Sequence, residues 1–136
     1  MPLKASELKV GDSHSERVVE NLSRTQIVQY AGASGDYNPI HTDEVYTTKV
    51  AGYPSVFAHG MLTMGLTGKM LTNYVGDGRL TRFGVRFTNQ VWPGDSLDAK
   101  ATVTAINDGL VELEVVTTNQ DGKEVVRGYA EARIDA

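Results

Sequence analysis

Apolar and polar positions alternate along the second half of the chain. Leu97, Ala99, Ala101 and Val103 stand against Asp98, Lys100, Thr102 and Thr104, and Val111, Leu113 and Val115 against Glu112 and Glu114. A period of two is that of a strand with one buried face. Turn-forming triplets interrupt the alternation at Pro93-Gly94-Asp95, Asn107-Asp108-Gly109 and Gln120-Asp121-Gly122. The pattern predicts long antiparallel strands over residues 80–92, 96–106, 110–119 and 123–134, joined by hairpins.

Over residues 61–75 the pattern changes. Met61, Leu62, Met64, Leu66, Met70, Leu71, Tyr74 and Val75 are interleaved with glycine and threonine, and Lys69 is the one charged residue. A helix apolar nearly all round is expected to be buried, and Met61, Met64 and Met70 read as core filling rather than as an acyl tunnel. At about 1.5 Å per residue this helix suits the centre of a small domain and is too short for a membrane.

The first half carries shorter elements. A leading segment over residues 3–11 is followed by an edge strand at 16–20. Ser23 or Thr25 can cap a helix over 24–33, where Ile27, Val28, Tyr30 and Ala31 repeat at helical spacing, Gln26 and Gln29 face outward, and Gly32 and Gly35 close it. Thr42 or Asp43 can cap a short helix through Lys49, and Ala51-Gly-Tyr-Pro54 reads as loop. One buried helix followed by long antiparallel strands implies an α+β layer in which the sheet curls around the helix. Without internal repeats or a flexible linker, residues 1–136 are expected to form a single domain.

Composition narrows the function classes. With 40% hydrophobic and 22% charged residues, 136 residues supply one core and too little for two. A formal charge of −4 and a pI near 5.3 argue against nucleic-acid binding, which needs a clustered basic surface. There is no cysteine, and His14, His41 and His59 lack metal-ligand spacing, so neither a disulfide framework nor a metal is expected. No apolar run has the length of a signal peptide or a membrane span, and a cytoplasmic protein with no membrane partner is expected.

The chemistry is concentrated in Ser34-Gly-Asp-Tyr-Asn-Pro-Ile-His41, which puts an acid, an amide and an imidazole in one turn-rich segment. Pro39 pushes Asn38 out of the helical region, so Asp36 and His41 must converge across a turn. Further on, Ala58-His59-Gly60-Met61 runs into the buried helix, whose first backbone N–H groups can meet a developing oxyanion. Taken singly, Asp36 and Asn38 read as Asx-turn residues and His41 as a half-buried filler. Taken together with Gly60 they read as a catalytic set. Ser34 and Tyr37 are candidate substrate contacts or turn packing. His59 is a candidate pocket residue or a structural neighbour of the helix cap. Arg82 and Arg86 alternate with Phe83, Val85 and Phe87 and read as a solvated strand face, or as phosphate contacts for a coenzyme A or phosphopantetheine arm.

The segment from Tyr30 to His41 with Asp43, followed by Ala58-His-Gly-Met-Leu-Thr-Met-Gly65, resembles the MaoC-like family of (R)-specific enoyl-thioester hydratases and (3R)-hydroxyacyl-thioester dehydratases. It is most similar to the beta-subunit branch of the mycobacterial-type carrier-protein dehydratases. The resemblance implies a hot-dog fold and the interconversion of trans-2-enoyl and (3R)-3-hydroxyacyl thioesters of coenzyme A or acyl carrier protein in fatty-acid metabolism, with no cofactor. It implies Asp36 and His41 as the acid–base pair, Asn38 orienting them, and the Gly60 N–H as oxyanion donor. It also implies a homodimer, or a heterodimer with another hot-dog subunit. A hot-dog thioesterase and a non-catalytic acyl-binding subunit are the competing readings. Against the first stands the histidine after Asp36. Against the second stands the intact Asp36, Asn38 and His41.

Overall fold

The computed structural model describes residues 3–135. Its strands are β1 (Ser13–Val19), β2 (Leu80–Phe87), β3 (Leu97–Asn107), β4 (Leu110–Thr118) and β5 (Glu124–Arg133), and its helices α1 (Arg24–Ser34), α2 (Glu44–Lys49) and α3 (Gly60–Val75). The strands form one antiparallel five-stranded sheet in the order β1-β3-β4-β5-β2. The sheet wraps α3 in the α+β hot-dog arrangement expected from the sequence.

The alternation translates directly into packing. Ala99, Ala101, Val103, Val111, Leu113 and Val115 close on Met70, Leu71 and Val75 of α3, with Ala130, Ala132 and Ile134 completing the cluster. The β3–β4 hairpin turns on Asp108 and Gly109, both at positive φ (50° and 83°), the conformation that a two-residue loop matched to strand twist requires. A second cluster, Leu22, Ile27, Ala58, Val91, Leu97, Val125 and Val126, lies around the start of α3. That cluster sets the helix start against the segment after α1.

Three expectations are corrected. The first strand is longer than residues 16–20 and begins at Ser13, because its partner β3 continues far enough to pair Ser13 with Thr102. It is an edge strand, as expected. The strand expected over residues 80–92 ends at Phe87: the Thr88 hydroxyl and the Asn89 amide both turn to the Glu124 carbonyl, and the Val91 carbonyl accepts the Ala58 N–H at 2.8 Å. The departing segment thus holds the approach to α3 instead of extending the sheet.

The third concerns α3, which is not buried all round. Its buried face is Thr63, Thr67, Met70, Leu71 and Val75, while Gly65 and Lys69 are exposed. The methionine stripe divides accordingly: Met70 is core, Met64 is half-buried and Met61 is 55% exposed. Thr67 is tolerated inside because its hydroxyl donates to the Thr63 carbonyl at 2.9 Å and meets the Thr117 hydroxyl at 2.7 Å. Among the described residues no helix is long and apolar enough to cross a membrane.

Candidate active site

Helix α1 delivers the acidic loop. Ser23 caps it reciprocally with Gln26, Ile27 and Ala31 anchor it, and Val28, grouped by its spacing with the apolar face, is 53% exposed. Gly35 ends it in the left-handed conformation (φ 76°), which reverses the chain into Asp36. The loop then binds itself. Ser34 Oγ accepts the Asp36 N–H at 3.2 Å, Asp36 Oδ1 the Asn38 N–H at 3.2 Å, and Asn38 Oδ1 the Ile40 N–H at 3.2 Å. The turn chemistry and the site are therefore the same structure. Asn38 acts on the backbone that leads to His41, whose N–H donates to the Asn38 carbonyl at 3.1 Å.

Downstream, Asp43 caps α2 by accepting the Tyr46 N–H. Glu44 of that helix pairs with Arg24 of α1 and accepts the Val56 N–H at 3.3 Å, so one carboxylate joins three segments around the site.

His41 is 8% exposed, and its Nδ1 lies 2.7 Å from the Phe57 carbonyl. A carbonyl only accepts, so Nδ1 carries the proton and Nε2 is left as the basic nitrogen. Burial pushes the imidazole below the ordinary histidine value; the Phe57 carbonyl partly opposes this, His59 reinforces it and Asp36 opposes it. A carboxylate oxygen of exposed Asp36 and one ring nitrogen each of His41 and His59 all lie within 4.8 Å of one another. A single bridging water can reach two groups this close with hydrogen bonds of ordinary length.

At the head of α3, His59 is the N-cap and its carbonyl takes the amides of Leu62 and Thr63, leaving the Gly60 N–H ahead of the intrahelical ladder. The Phe87 ring packs on Gly60, where a Cβ would lie 3.1 Å from the ring carbons. Beside them opens a cavity of about 320 Å³, lined by Phe57, Ala58, Gly60, Thr63, Phe87 and Val125 among others. Phe57 faces both parts: its ring meets His41 edge-on at 5.3 Å and also borders the cavity. Neither Phe57 nor Phe87 is singled out by sequence, since one acts on His41 through its carbonyl and the other reaches Gly60 from a distant strand.

The remaining candidates are placed as follows. Ser34 fastens the loop, Tyr37 is 68% exposed, and His59 is buried behind His41. Arg82 and Arg86 are exposed, and Arg82 lies 5.1 Å above the Tyr129 ring beside a different cavity. Asp36, His41 and His59 are of metal-ligand type and come together without any spacing signal. Their geometry does not suit an ion. The two imidazoles are stacked with planes 24° apart, and in-plane lone pairs of nearly parallel rings do not converge within coordination distance. One nitrogen of each ring is hydrogen-bonded to a carbonyl, which leaves a single lone pair on each. The arrangement suits a bridging water and proton transfer.

Residues 6–125 match the model of the MaoC like domain. The chain belongs to the MaoC-like family. This MaoC-like domain is 31% identical over 116 residues to 3-hydroxyacyl-thioester dehydratase Y of Mycobacterium tuberculosis, covering 83% of this chain and 39% of that protein. Its fold superimposes on the R-hydratase PhaJ1 of Pseudomonas aeruginosa with a TM-score of 0.84 and 29% identity, covering 96% of this chain and 84% of that one. It is also similar to a chain of the ChsH1–ChsH2 complex of Mycobacterium tuberculosis, with a TM-score of 0.81, 25% identity and coverage of 93% and 98%. The chain spans about two fifths or less of the curated relatives it matches.

Proposed function

We propose that the chain is a hydro-lyase that interconverts trans-2-enoyl thioesters and (3R)-3-hydroxyacyl thioesters in fatty-acid metabolism. The observation that carries this reading is the Asp36 carboxylate and a His41 ring nitrogen within 4.8 Å of each other, with the Asp36 carbonyl accepting from His59, the N-cap of α3. In hydration the water oxygen bonds to the β-carbon while its proton passes to the Asp36–His41 pair. A proton from the pair reaches the α-carbon, and the charge that builds on the thioester oxygen meets the Gly60 N–H and the helix terminus. Dehydration is the same sequence reversed. The substrate is a thioester of coenzyme A or of acyl carrier protein, and the step uses neither redox chemistry nor a Lewis acid. The names of the related dehydratase Y and R-hydratase support the reaction class.

A second hot-dog subunit, identical or different, belongs to this reading. The β2 edge is open in the sheet order, and Met61 and Phe87 beside the site are 55% and 51% exposed. The similarity to a chain of a two-component complex supports a partner of the same fold.

The test follows a short trans-2-enoyl-CoA by loss of its conjugated absorbance, with free thiol measured in parallel. Absorbance loss without thiol is the expected outcome. Thiol release without hydration identifies a thioesterase and overturns the proposal.

A further inference from the structure

We infer that His59 is a positioning residue of this reaction: its ring ties the Asp36 peptide to the helix start that carries Gly60 and backs the His41 imidazole, without touching substrate. The inference rests on the hydratase reading above and goes beyond it, because neither proton transfer nor oxyanion binding needs a second histidine.

His59 is 2% exposed, and its Nε2 lies 3.0 Å from the Asp36 backbone carbonyl. The carbonyl accepts, so Nε2 holds the proton and Nδ1 carries only a lone pair. That Nδ1 is buried and finds no hydrogen-bond partner among the described residues. The ring stacks on the His41 imidazole with centroids 3.8 Å apart. The Asp36 carbonyl therefore selects the Nε2–H tautomer of the ring. Tyr30 meets it edge-on at 4.8 Å, which fixes its plane.

Other groups close enough to affect His41 are Asp36, the Phe57 carbonyl and His59. Only His59 also holds the backbone of one of the others. It is covalently next to Gly60 and hydrogen-bonded to Asp36, so the spacing between carboxylate and oxyanion donor is set through one ring. The covalent route between the same residues runs through the whole loop and α2. A shift of about 1 Å in such a spacing costs about 10²-fold in rate.

The test compares wild type with His59→Leu, which keeps volume and loses the donor, and His59→Gln, which returns an N–H near the Nε2 position. On a short trans-2-enoyl-CoA, His59→Leu is expected to lower kcat by about 10²-fold with KM within about threefold, and His59→Gln to stay within about tenfold of wild type. Ring ¹⁵N shifts of the wild-type protein supply a readout independent of activity and of variant folding: His59 is expected to be the Nε2–H tautomer and His41 the Nδ1–H tautomer. Wild-type kcat in His59→Leu, equal impairment of two folded variants, or an Nδ1–H tautomer at His59 overturns the inference. If the wild-type chain alone fails to hydrate, the positional claim is decided by the tautomer and by whether His59→Leu, but not His59→Gln, shifts the Asp36 and His41 resonances.

Discussion

The imidazoles of His41 and His59 are stacked 3.8 Å apart, and each is tied to a carbonyl from a different segment, Phe57 for His41 and Asp36 for His59. The two rings consequently hold opposite tautomers. His41 keeps Nε2 free for water, while the free Nδ1 of His59 is sealed inside. Two histidines that look alike in sequence are held in different tautomers by the backbone groups they reach.

Asp36 is exposed and its Oδ1 accepts the Asn38 N–H. Asn at this position offers the same acceptor, so Asp36→Asn is expected to preserve the turn and the melting temperature. Hydration should fall by about 10²–10⁴-fold, since the carboxylate is the charged partner of the water. Steady-state kinetics alongside thermal melting checks both halves. Near wild-type turnover in the folded variant removes Asp36 from the mechanism.

The hydrophobic pattern revealed the sheet because β3 and β4 bury one face only, so Val111, Leu113 and Val115 alternate visibly with Glu112 and Glu114. It misjudged α3, whose residue types do not follow burial: Thr63 and Thr67 are inside, where Thr67 finds hydroxyl and carbonyl partners, and Met61 is outside. The candidate site was legible where it is built from side chains close in sequence, as with Asp36, Asn38 and His41, which the fold brings together. It was illegible where a backbone carbonyl or a distant ring does the work, as with Phe57 and Phe87.

The Phe87 ring on Gly60 makes a specific claim about the oxyanion donor. In Gly60→Ala the new methyl meets ring carbons at 3.1 Å, and Phe87, half exposed, is free to swing away into the neighbouring cavity or solvent. The fold should survive, and kcat/KM should drop by about 10²-fold as the donor and the cavity wall are displaced. Adding Phe87→Leu should recover part of the loss, which a double-mutant cycle in kcat/KM measures as coupling. Strict additivity would show that the contact is incidental.

Burial holds His41 below the ordinary histidine value of 6.5, so on acidification it is protonated at a lower pH than a free histidine. If neutral His41 is the active form, the acid limb of kcat/KM should fall below pH 6.5. Stability follows with a definite sign. The unfolded chain takes up the proton first, so the contribution of His41 is complete above about pH 6.5 and is lost as pH drops through the lower folded value. Urea unfolding between pH 7.5 and 5 should show this decline, and His41→Gln should flatten it. An identical slope in the variant would assign the decline to other groups.

Thr67 and Thr117 are both 0% exposed, with hydroxyls 2.7 Å apart. Because the Thr67 hydroxyl donates to the Thr63 carbonyl, the Thr117 hydroxyl must be the donor between the pair. The two replacements are then unequal. Thr67→Val leaves a buried O–H without an acceptor and should cost about 1–3 kcal/mol, whereas Thr117→Val removes the donor and leaves Thr67 still bonded, at about 1 kcal/mol or less. In the double variant the stranded hydroxyl is gone, so its cost should be less than the sum of the two. Chemical denaturation of the four proteins measures the coupling. Equal single costs that simply add would mean that each hydroxyl is satisfied independently and that the link between α3 and β4 contributes nothing of its own.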